Sequence, residues 1–184
     1  MKIPQVPNGL DIDLPKVGQL GFAVRSVEDN LNRFSTLFGI HTWYKPKYAQ
    51  KQFQFNGQDF DLDLDLAVGF SGGLQIELLV GTSVEENPYS RHITDEGEGL
   101  HHLGFFTSKF DRSVQQLRDA GVPSVLSGRF KTKGGGSVRF EYFDTRDNFG
   151  TTIELVDVTL YGIRFPQTDF MMRVAALTGD VDRI

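Results

Sequence analysis

A six-residue pattern occurs twice in this sequence, as QLGFAV at residues 19–24 and as HLGFFT at residues 102–107. The two copies lie 83 residues apart. The similarity continues downstream, since IEL at residues 76–78 closes the first half as IEL at residues 153–155 closes the second. Because an internal repeat indicates a duplicated structural unit, the sequence predicts two copies of one small module.

Each half of the chain has the same predicted order of elements: a strand, a helix and then several strands. In the first half, Ser26 can cap a helix whose apolar side chains recur at helical spacing, and Gly39 can end it. In the second half, Ser108 and Gly121 have the same two roles. The predicted strands lie near residues 17–24, 51–55, 60–70 and 74–80 in the first half and near 103–107, 124–127, 137–143 and 151–156 in the second. Each half is therefore predicted to be a unit of mixed helix and sheet.

The domain organisation follows from these two halves. The predicted segments are an N-terminal extension at residues 1–16, a first module at 17–82, a linker at 83–98, a second module at 99–158 and a C-terminal tail at 159–184. The tail has apolar residues at helical spacing, including Phe170, Val174 and Leu177, so it is predicted to be helical. We expect it to cover a sheet edge or to contribute to a homodimer.

The composition excludes several classes of function. With 19 Lys and Arg against 24 Asp and Glu, the net charge is −5, which disfavours nucleic acid as a partner. The absence of cysteine excludes disulfides and zinc sites that use thiolates. No apolar run approaches the ~20 residues that span a bilayer, and residues 1–5 lack the apolar stretch of a signal peptide. We therefore expect a soluble cytoplasmic protein with no membrane partner, and its 16 Phe indicate an aromatic core or cavity.

Strand alternation sorts the polar residues onto two faces, because successive side chains in a strand point to opposite sides. In the first and last strand of each half, the apolar residues are expected to pack under the helix, so the intervening polar residues face away from it. The residues selected in this way are Gln19, Glu77, His102 and Glu154. They occupy equivalent positions in the two halves. One imidazole, two carboxylates and an amide oxygen are suitable ligands for a divalent transition metal.

The same alternation makes two further predictions. His101 neighbours His102, so it is expected on the opposite face as a packed or hydrogen-bonded histidine. Phe106 and Phe143 are expected to give the cavity around the metal an apolar wall.

Four stretches of the sequence resemble one known superfamily. They are NPYSRH at residues 87–92, GEGLHHLGF at 97–105, QIELL at 75–79 and TIELV at 152–156. Together they are similar to the vicinal oxygen chelate superfamily, which includes glyoxalase I, methylmalonyl-CoA epimerase, extradiol dioxygenases and bleomycin-resistance proteins. The resemblance covers about residues 17–157. It implies a glyoxalase-like α+β fold in which paired βαβββ modules form a cup-shaped mixed sheet around a metal.

The resemblance assigns the metal ligands to the four residues that strand alternation selects. Carried over position by position, they are Gln19, Glu77, His102 and Glu154, and they would hold one divalent ion of Zn, Ni, Co, Mn or Fe. This ligand order resembles one class of glyoxalase I, whereas the linker resembles methylmalonyl-CoA epimerase, in which the first ligand is more usually His. Iron-dependent dioxygenases use two His and one carboxylate, so a single His among the ligands disfavours that chemistry.

The implied chemistry is that of a metal-dependent lyase, isomerase or epimerase. The metal would polarise a chelated carbonyl and stabilise an enolate, while a carboxylate removes the proton α to that carbonyl. Glu154 is the predicted catalytic base, and Glu77 is a second catalytic carboxylate. The expected partner is a small molecule such as a thioester, a hemithioacetal or a 2-oxo compound. The alternatives are a protein of the bleomycin-resistance type that sequesters a ligand without catalysis and, third, a dioxygenase.

Overall fold

Twelve strands and five helices occur in residues 14–165 and 167–184, the part of the chain that the computed structural model describes. The strands are β1 (Gln19–Ala23), β2 (Trp43–Pro46), β3 (Gln50–Phe55), β4 (Gln58–Asp59), β5 (Asp63–Ser71), β6 (Leu74–Thr82), β7 (Gly99–Phe106), β8 (Ser124–Lys131), β9 (Gly136–Phe143), β10 (Thr152–Leu160), β11 (Ile163–Arg164) and β12 (Val181–Arg183). The helices are α1 (Val27–Phe38), α2 (Pro88–Asp95), α3 (Phe110–Asp119), α4 (Arg146–Phe149) and α5 (Asp169–Leu177). None of these helices is long and apolar enough to span a membrane.

The two halves of the sheet meet through their first strands, β1 and β7, which pair antiparallel. Each of these strands is flanked on its other side by the last strand of its own half, so β6 runs parallel to β1 and β10 runs parallel to β7. The strand order is β12-β2-β5-β6-β1-β7-β10-β9-β8-β3-β4, with β11 beside β10. This curled mixed sheet confirms the predicted α+β fold. The two main helices leave its concave face open, and we call this face the cup.

Helices α1 and α3 cover the outer face of the sheet, one in each half. The Ser26 hydroxyl caps α1 by accepting a backbone hydrogen bond at 3.2 Å, and Gly39 ends the helix in the left-handed conformation, with φ 66°. Ser108 does not cap α3 as predicted. Instead, α3 begins after Lys109, whose N–H donates to the Thr107 hydroxyl at 3.1 Å. The two helices pack on separate apolar clusters, so each half has a hydrophobic core of its own.

The hairpin β3–β4 departs from the prediction of two separate modules. β3 follows β2 in the chain, but it pairs antiparallel with β8 of the other half along Gln50–Phe55. The chain makes this crossing at residues 47–49 and brings Tyr48 into the apolar cluster of the cup. Without the hairpin, β8 would be an edge strand with unpaired backbone groups. The crossing therefore covers an edge and ties the two halves together.

The structure describes the predicted linker in full but only the last residues of the predicted N-terminal extension. The linker predicted at residues 83–98 contains the helix α2, which the Asn87 side chain caps by accepting from two backbone N–H groups. The N-terminal extension predicted at residues 1–16 lies outside the described residues as far as residue 13.

The C-terminal tail contains a helix, as predicted, together with two short strands. β12 pairs with β2 at the edge of the first half. The Asp180 carboxylate accepts hydrogen bonds from the Thr132 hydroxyl at 3.0 Å and from the Gly134 N–H at 2.9 Å, both in the second half. Met172 of α5 packs in the apolar cluster of the cup. Residues 167–184, which we call the C-terminal strap, therefore cross from one half of the cup to the other.

Candidate metal centre

The four predicted metal ligands lie on four neighbouring strands at the centre of the sheet. Glu77 is on β6, Gln19 on β1, His102 on β7 and Glu154 on β10. His102 Nε2 lies 3.4 Å from Glu77 Oε2 and 3.3 Å from Glu154 Oε2. All four side chains are buried, His102 completely. The structure thus brings all four together inside a cup formed by a single chain.

Two glycines make room for this convergence. Gly21 is the register partner of His102, and a Cβ atom there would overlap the His102 imidazole. Gly104 is the register partner of Gln19, and a Cβ atom there would lie 2.8 Å from Gln19 Cβ and would overlap the Gln19 side-chain oxygen. The two glycines are equivalent positions of the repeat. The first strand of each half, β1 or β7, therefore supplies one ligand and the gap that accepts the ligand from the first strand of the other half.

A β-bulge corrects the prediction for His101. Along the pairing of β1 with β7, Gly21 is opposite His102 but Phe22 is opposite Leu100, so β7 carries one extra residue at this point. His101 and His102 are both buried and in contact, whereas Leu100 is exposed. The prediction that His101 faces away from His102 was wrong, because the extra residue resets the alternation of side chains.

His101 is a hydrogen-bond partner of His102. The two Nδ1 atoms are 3.2 Å apart, so one ring donates and the other accepts. Burial lowers the pKa of His101 well below its usual value, and the neighbouring charge of His102 acts in the same direction. Tyr142 packs against both imidazoles, with its ring centroid 5.6 Å from that of His101 and 4.9 Å from that of His102. A neutral histidine and a tyrosine ring therefore hold His102 in place from behind.

His102 Nε2 faces two carboxylates, and this determines the charge of His102 in the metal-free protein. Burial by itself would lower the pKa of His102, but Glu154 and Glu77 outweigh it and raise that pKa to about 9. Burial raises the pKa of the Glu77 carboxyl, and the charge of Glu154 adds to this effect although His102 opposes it. Without metal, the site therefore holds a proton between its carboxylates.

The raised pKa of His102 predicts a pH dependence of stability in the metal-free protein. The folded pKa is about 9, whereas an unfolded His has a pKa of about 6.5. The resulting stabilisation is complete below about pH 6.5 and is lost as the pH rises through about 9. In EDTA we expect the free energy of unfolding, measured by urea titration, to fall by about 3 kcal/mol across this window. His102→Gln should lack this fall, and an equal fall in that variant would contradict the assignment.

The unpaired atoms of the site fit a cation. Within the described residues, the buried side-chain atoms without a hydrogen-bond partner are Gln19 Oε1 and His102 Nε2. A buried oxygen without a partner, such as Gln19 Oε1, costs about 1–3 kcal/mol, and binding to a metal would remove this cost. His102 Nε2 makes no hydrogen bond but lies 3.4 and 3.3 Å from the carboxylates of Glu77 and Glu154. The 3.3 and 3.4 Å separations are also short enough for His102 Nε2 and the two carboxylate oxygens to bind one ion. In the same residue ranges, no three His, Asp or Glu side chains are already arranged as a metal site. The four side chains therefore suit a metal ion by the chemistry of their donor atoms, and not because they already surround a metal position.

Three of the four candidate ligands, Gln19, Glu77 and Glu154, line a small aromatic cavity of about 50 Å³. Phe106 lines it as predicted, together with Phe140 and Tyr142. Phe143 does not line it, because it is buried in the apolar cluster beneath α3. The prediction for Phe143 was wrong because its neighbour Tyr142 is the register partner of Glu154. Strand alternation therefore directs Tyr142, and not Phe143, into the cup.

Among the polar residues that line the cavity, sequence reasoning misses Tyr48 and Gln167. Tyr48 lies in the crossing between β2 and β3, where strand alternation does not apply, and it stacks on Phe130 with ring centroids 4.3 Å apart. Gln75 shares the alternation of Glu77 in β6, which places it on the helix-free face of the strand, and it lines the cavity. Gln167 belongs to the C-terminal strap, and no local pattern connects it with the cup.

A model of the Glyoxalase/Bleomycin resistance protein/Dioxygenase superfamily matches residues 18–140 of the sequence. The chain belongs to this superfamily. The match confirms the resemblance inferred from the sequence, and it includes the candidate ligands Gln19, Glu77 and His102. Members of the glyoxalase/bleomycin resistance/dioxygenase superfamily commonly bind a divalent metal.

Solved structures of methylmalonyl-CoA epimerases share the fold of this superfamily member. A variant of the Streptomyces coelicolor enzyme, in complex with 2-nitronate-propionyl-CoA, has a TM-score of 0.53 and 19% identity over 78% of this chain and 96% of that chain. The Mycobacterium tuberculosis enzyme has a TM-score of 0.51 and 20% identity over 75% of this chain and 84% of that chain. The uncharacterized protein YqjC of Bacillus subtilis (strain 168) is 20% identical over 142 residues, which are 77% of this chain and 91% of that protein. At these identities the structural likeness establishes the fold.

Proposed function

We propose that this superfamily member is a metal-dependent enzyme of the lyase, isomerase or epimerase type. It would remove the proton α to a carbonyl and pass through an enolate. The observation that carries the proposal is the convergence of two buried carboxylates on one imidazole, with an unpaired amide oxygen in the same cup. The epimerases that share the fold support an enzymatic role.

The metal would be held by Gln19 Oε1, Glu77, His102 Nε2 and Glu154, and it would be Zn, Ni, Co, Mn or Fe. When bound, it supplies a Lewis acid that polarises a substrate carbonyl. His102 has to be neutral to be a ligand, so its Nδ1–H donates to His101 Nδ1 while its Nε2 keeps a lone pair. His101 is suited to accept this hydrogen bond because burial keeps it neutral.

The two carboxylates would divide the proton transfer between them. Glu154 is the proposed base, since it is buried, lines the cavity and lies on the strand next to that of His102. Glu77 lines the same cavity from the other half of the cup, and it is the proposed group that returns the proton. Return to the other side of the same carbon gives epimerisation, whereas return to a different atom gives isomerisation.

Tyr48 is the proposed hydrogen-bond donor to the substrate oxygen. Burial raises the pKa of Tyr48, and the charges of Glu77 and Glu154 add to this, so its hydroxyl stays protonated. The hydroxyl makes no hydrogen bond within the described part of the chain, and stacking on Phe130 fixes the ring. A neutral O–H group in an aromatic cavity stabilises an anionic oxygen and adds no charge that would compete with the metal.

The proposed substrate is a small molecule with a hydrogen α to a carbonyl, of the thioester, hemithioacetal or 2-oxo class. Structures of methylmalonyl-CoA epimerase contain 2-nitronate-propionyl-CoA in one case and methylmalonyl-CoA in another, which favours the thioester. All four candidate ligands come from one chain, so the site does not need a second copy. The homodimer and the cytoplasmic location stay predictions.

Metal binding by the purified protein tests this proposal directly. After treatment with a chelator, we expect the protein to bind about one divalent ion per chain in a calorimetric titration and to release protons as it does so. The double variant His102→Ala, Glu154→Ala lacks two of four donors and should bind at least ~100-fold more weakly. His41→Ala is the matched control because His41 is exposed. Equal metal contents in the double variant and the wild type would rule out the proposed ligands.

A further inference from the structure

The C-terminal strap contributes a polar side chain to the interior of the cup. Gln167 lines the cavity, and α5 then places Met172 among the apolar side chains of the cup. After Gln167, the strap is anchored to both halves of the cup. The Tyr44 hydroxyl donates to Asp169 Oδ1 at 2.8 Å, and Asp180 binds the β8–β9 loop of the second half. The position of Gln167 is therefore set by a segment that contacts both halves.

Gln167 ends a chain of three hydrogen-bonded amides. Gln19 Nε2 donates to Gln75 Oε1 at 2.9 Å, and Gln75 Nε2 donates to Gln167 Oε1 at 2.6 Å. Gln19 is 4% exposed and Gln75 is 1% exposed, so water hardly competes for these groups. Each amide has one donor end and one acceptor end. In the observed arrangement, the Gln167 oxygen is the acceptor at the end of this series of amides.

The direction in which these three amides are hydrogen-bonded matters, because one end of an amide can bind a cation and the other end cannot. The amide oxygen is a neutral ligand, whereas the NH₂ group is a hydrogen-bond donor that repels a metal ion. With the observed direction, the Gln19 nitrogen faces Gln75 and its oxygen lies against Gly104 in the cup. Gln19 Oε1 has no hydrogen-bond partner within the described ranges. If the three hydrogen-bonded amides were reversed, the NH₂ group of Gln19 would face the metal site.

We propose that Gln167 is a positioning residue, which fixes the Gln19 amide through Gln75 so that its oxygen faces the metal site. This inference rests on the proposed function, since it takes Gln19 as a ligand. The site is then complete only while the strap is seated. The cavity of about 50 Å³ is far below the ~300–1,000 Å³ of ordinary ligand pockets, so part of the cavity wall has to move to admit a thioester.

Two substitutions separate the role of the Gln167 oxygen from that of the strap as a whole. Gln167→Leu removes the acceptor at similar volume, whereas Gln167→Glu keeps an oxygen that can accept from Gln75. We expect Gln167→Leu to weaken the binding of Zn²⁺ and Ni²⁺ by ~10–100-fold in calorimetric titrations, because it removes the partner that orients a ligand. Gln167→Glu should restore the affinity of the wild type. Phe170→Ala is the matched control, because Phe170 lies on α5 but is 70% exposed and outside the amide chain.

A readout that needs no metal comes from the side-chain amide NMR signals of Gln19 and Gln75. Both amides should be protected from exchange in the metal-free wild type and in Gln167→Glu, and both should shift and lose protection in Gln167→Leu. Gln167→Met serves the same purpose if Gln167→Leu does not fold. Wild-type metal affinity in Gln167→Leu overturns the inference, as does an equal loss in Phe170→Ala. If the wild type binds no divalent ion, the proposed function fails, and the amide signals still decide whether Gln167 orients Gln19.

Discussion

Replacing Glu154 with Gln should remove most of the α-proton exchange that we propose for this protein, while leaving its fold intact. The Gln side chain keeps the shape and an oxygen donor, but it cannot accept a proton. General-base catalysis typically contributes ~10²–10⁴-fold, so the exchange rate should fall by about that factor. Substrate affinity should change little, because the aromatic wall around Tyr142 and Phe106 is untouched.

The exchange rate can be followed by NMR in deuterated water with the metal-loaded protein and α-hydrogen thioesters, hemithioacetals and 2-oxo compounds in turn. The wild type should exchange the α proton of at least one compound, and a chelator should stop the exchange. Glu85→Gln is the control, because Glu85 is exposed and does not line the cavity. An undiminished rate in Glu154→Gln would move the base to Glu77, which Glu77→Gln then tests. Consumption of molecular oxygen would contradict the enolate mechanism and favour a dioxygenase.

Gly21→Ala should abolish metal binding, although Gly21 is not a ligand. The added Cβ would overlap the His102 imidazole. The imidazole has little room to retreat, because His101 Nδ1 lies 3.2 Å from its own Nδ1 and the Tyr142 ring packs against it. Forcing an extra carbon into a packed interior typically costs about 1–3 kcal/mol, so we also expect a lower melting temperature.

Gly73→Ala is the matched control for this substitution, since nothing lies within 4 Å of the Cβ position there. In calorimetric titrations with Zn²⁺, we expect the affinity to fall by more than ~100-fold in Gly21→Ala and to stay unchanged in Gly73→Ala. Gly104→Ala should resemble Gly21→Ala, because its Cβ displaces Gln19. Wild-type affinity in Gly21→Ala would show that the imidazole can move freely and would refute His102 as a rigidly placed ligand.

The face on which each candidate ligand lies was determined by the sequence alone. In an extended strand, the direction of the side chains repeats every two residues, and this period does not depend on which strand lies alongside. The repeat then places Gln19 and His102 at one pair of equivalent positions and Glu77 and Glu154 at another. The structure places all four on the cup side of four neighbouring strands, as local geometry requires.

Only the tertiary structure decided the features that depend on distant parts of the chain. His101 faces the cup because β7 has one residue more than β1 at their pairing, and a bulge is a property of two strands together. Tyr48 reaches the cavity because the chain crosses to pair with β8 of the other half. Gln167 meets Gln75 across 92 residues of sequence. Such contacts form where many side chains pack at once, so no short pattern encodes them, whereas the two-residue period of a strand is set by the geometry of its own backbone.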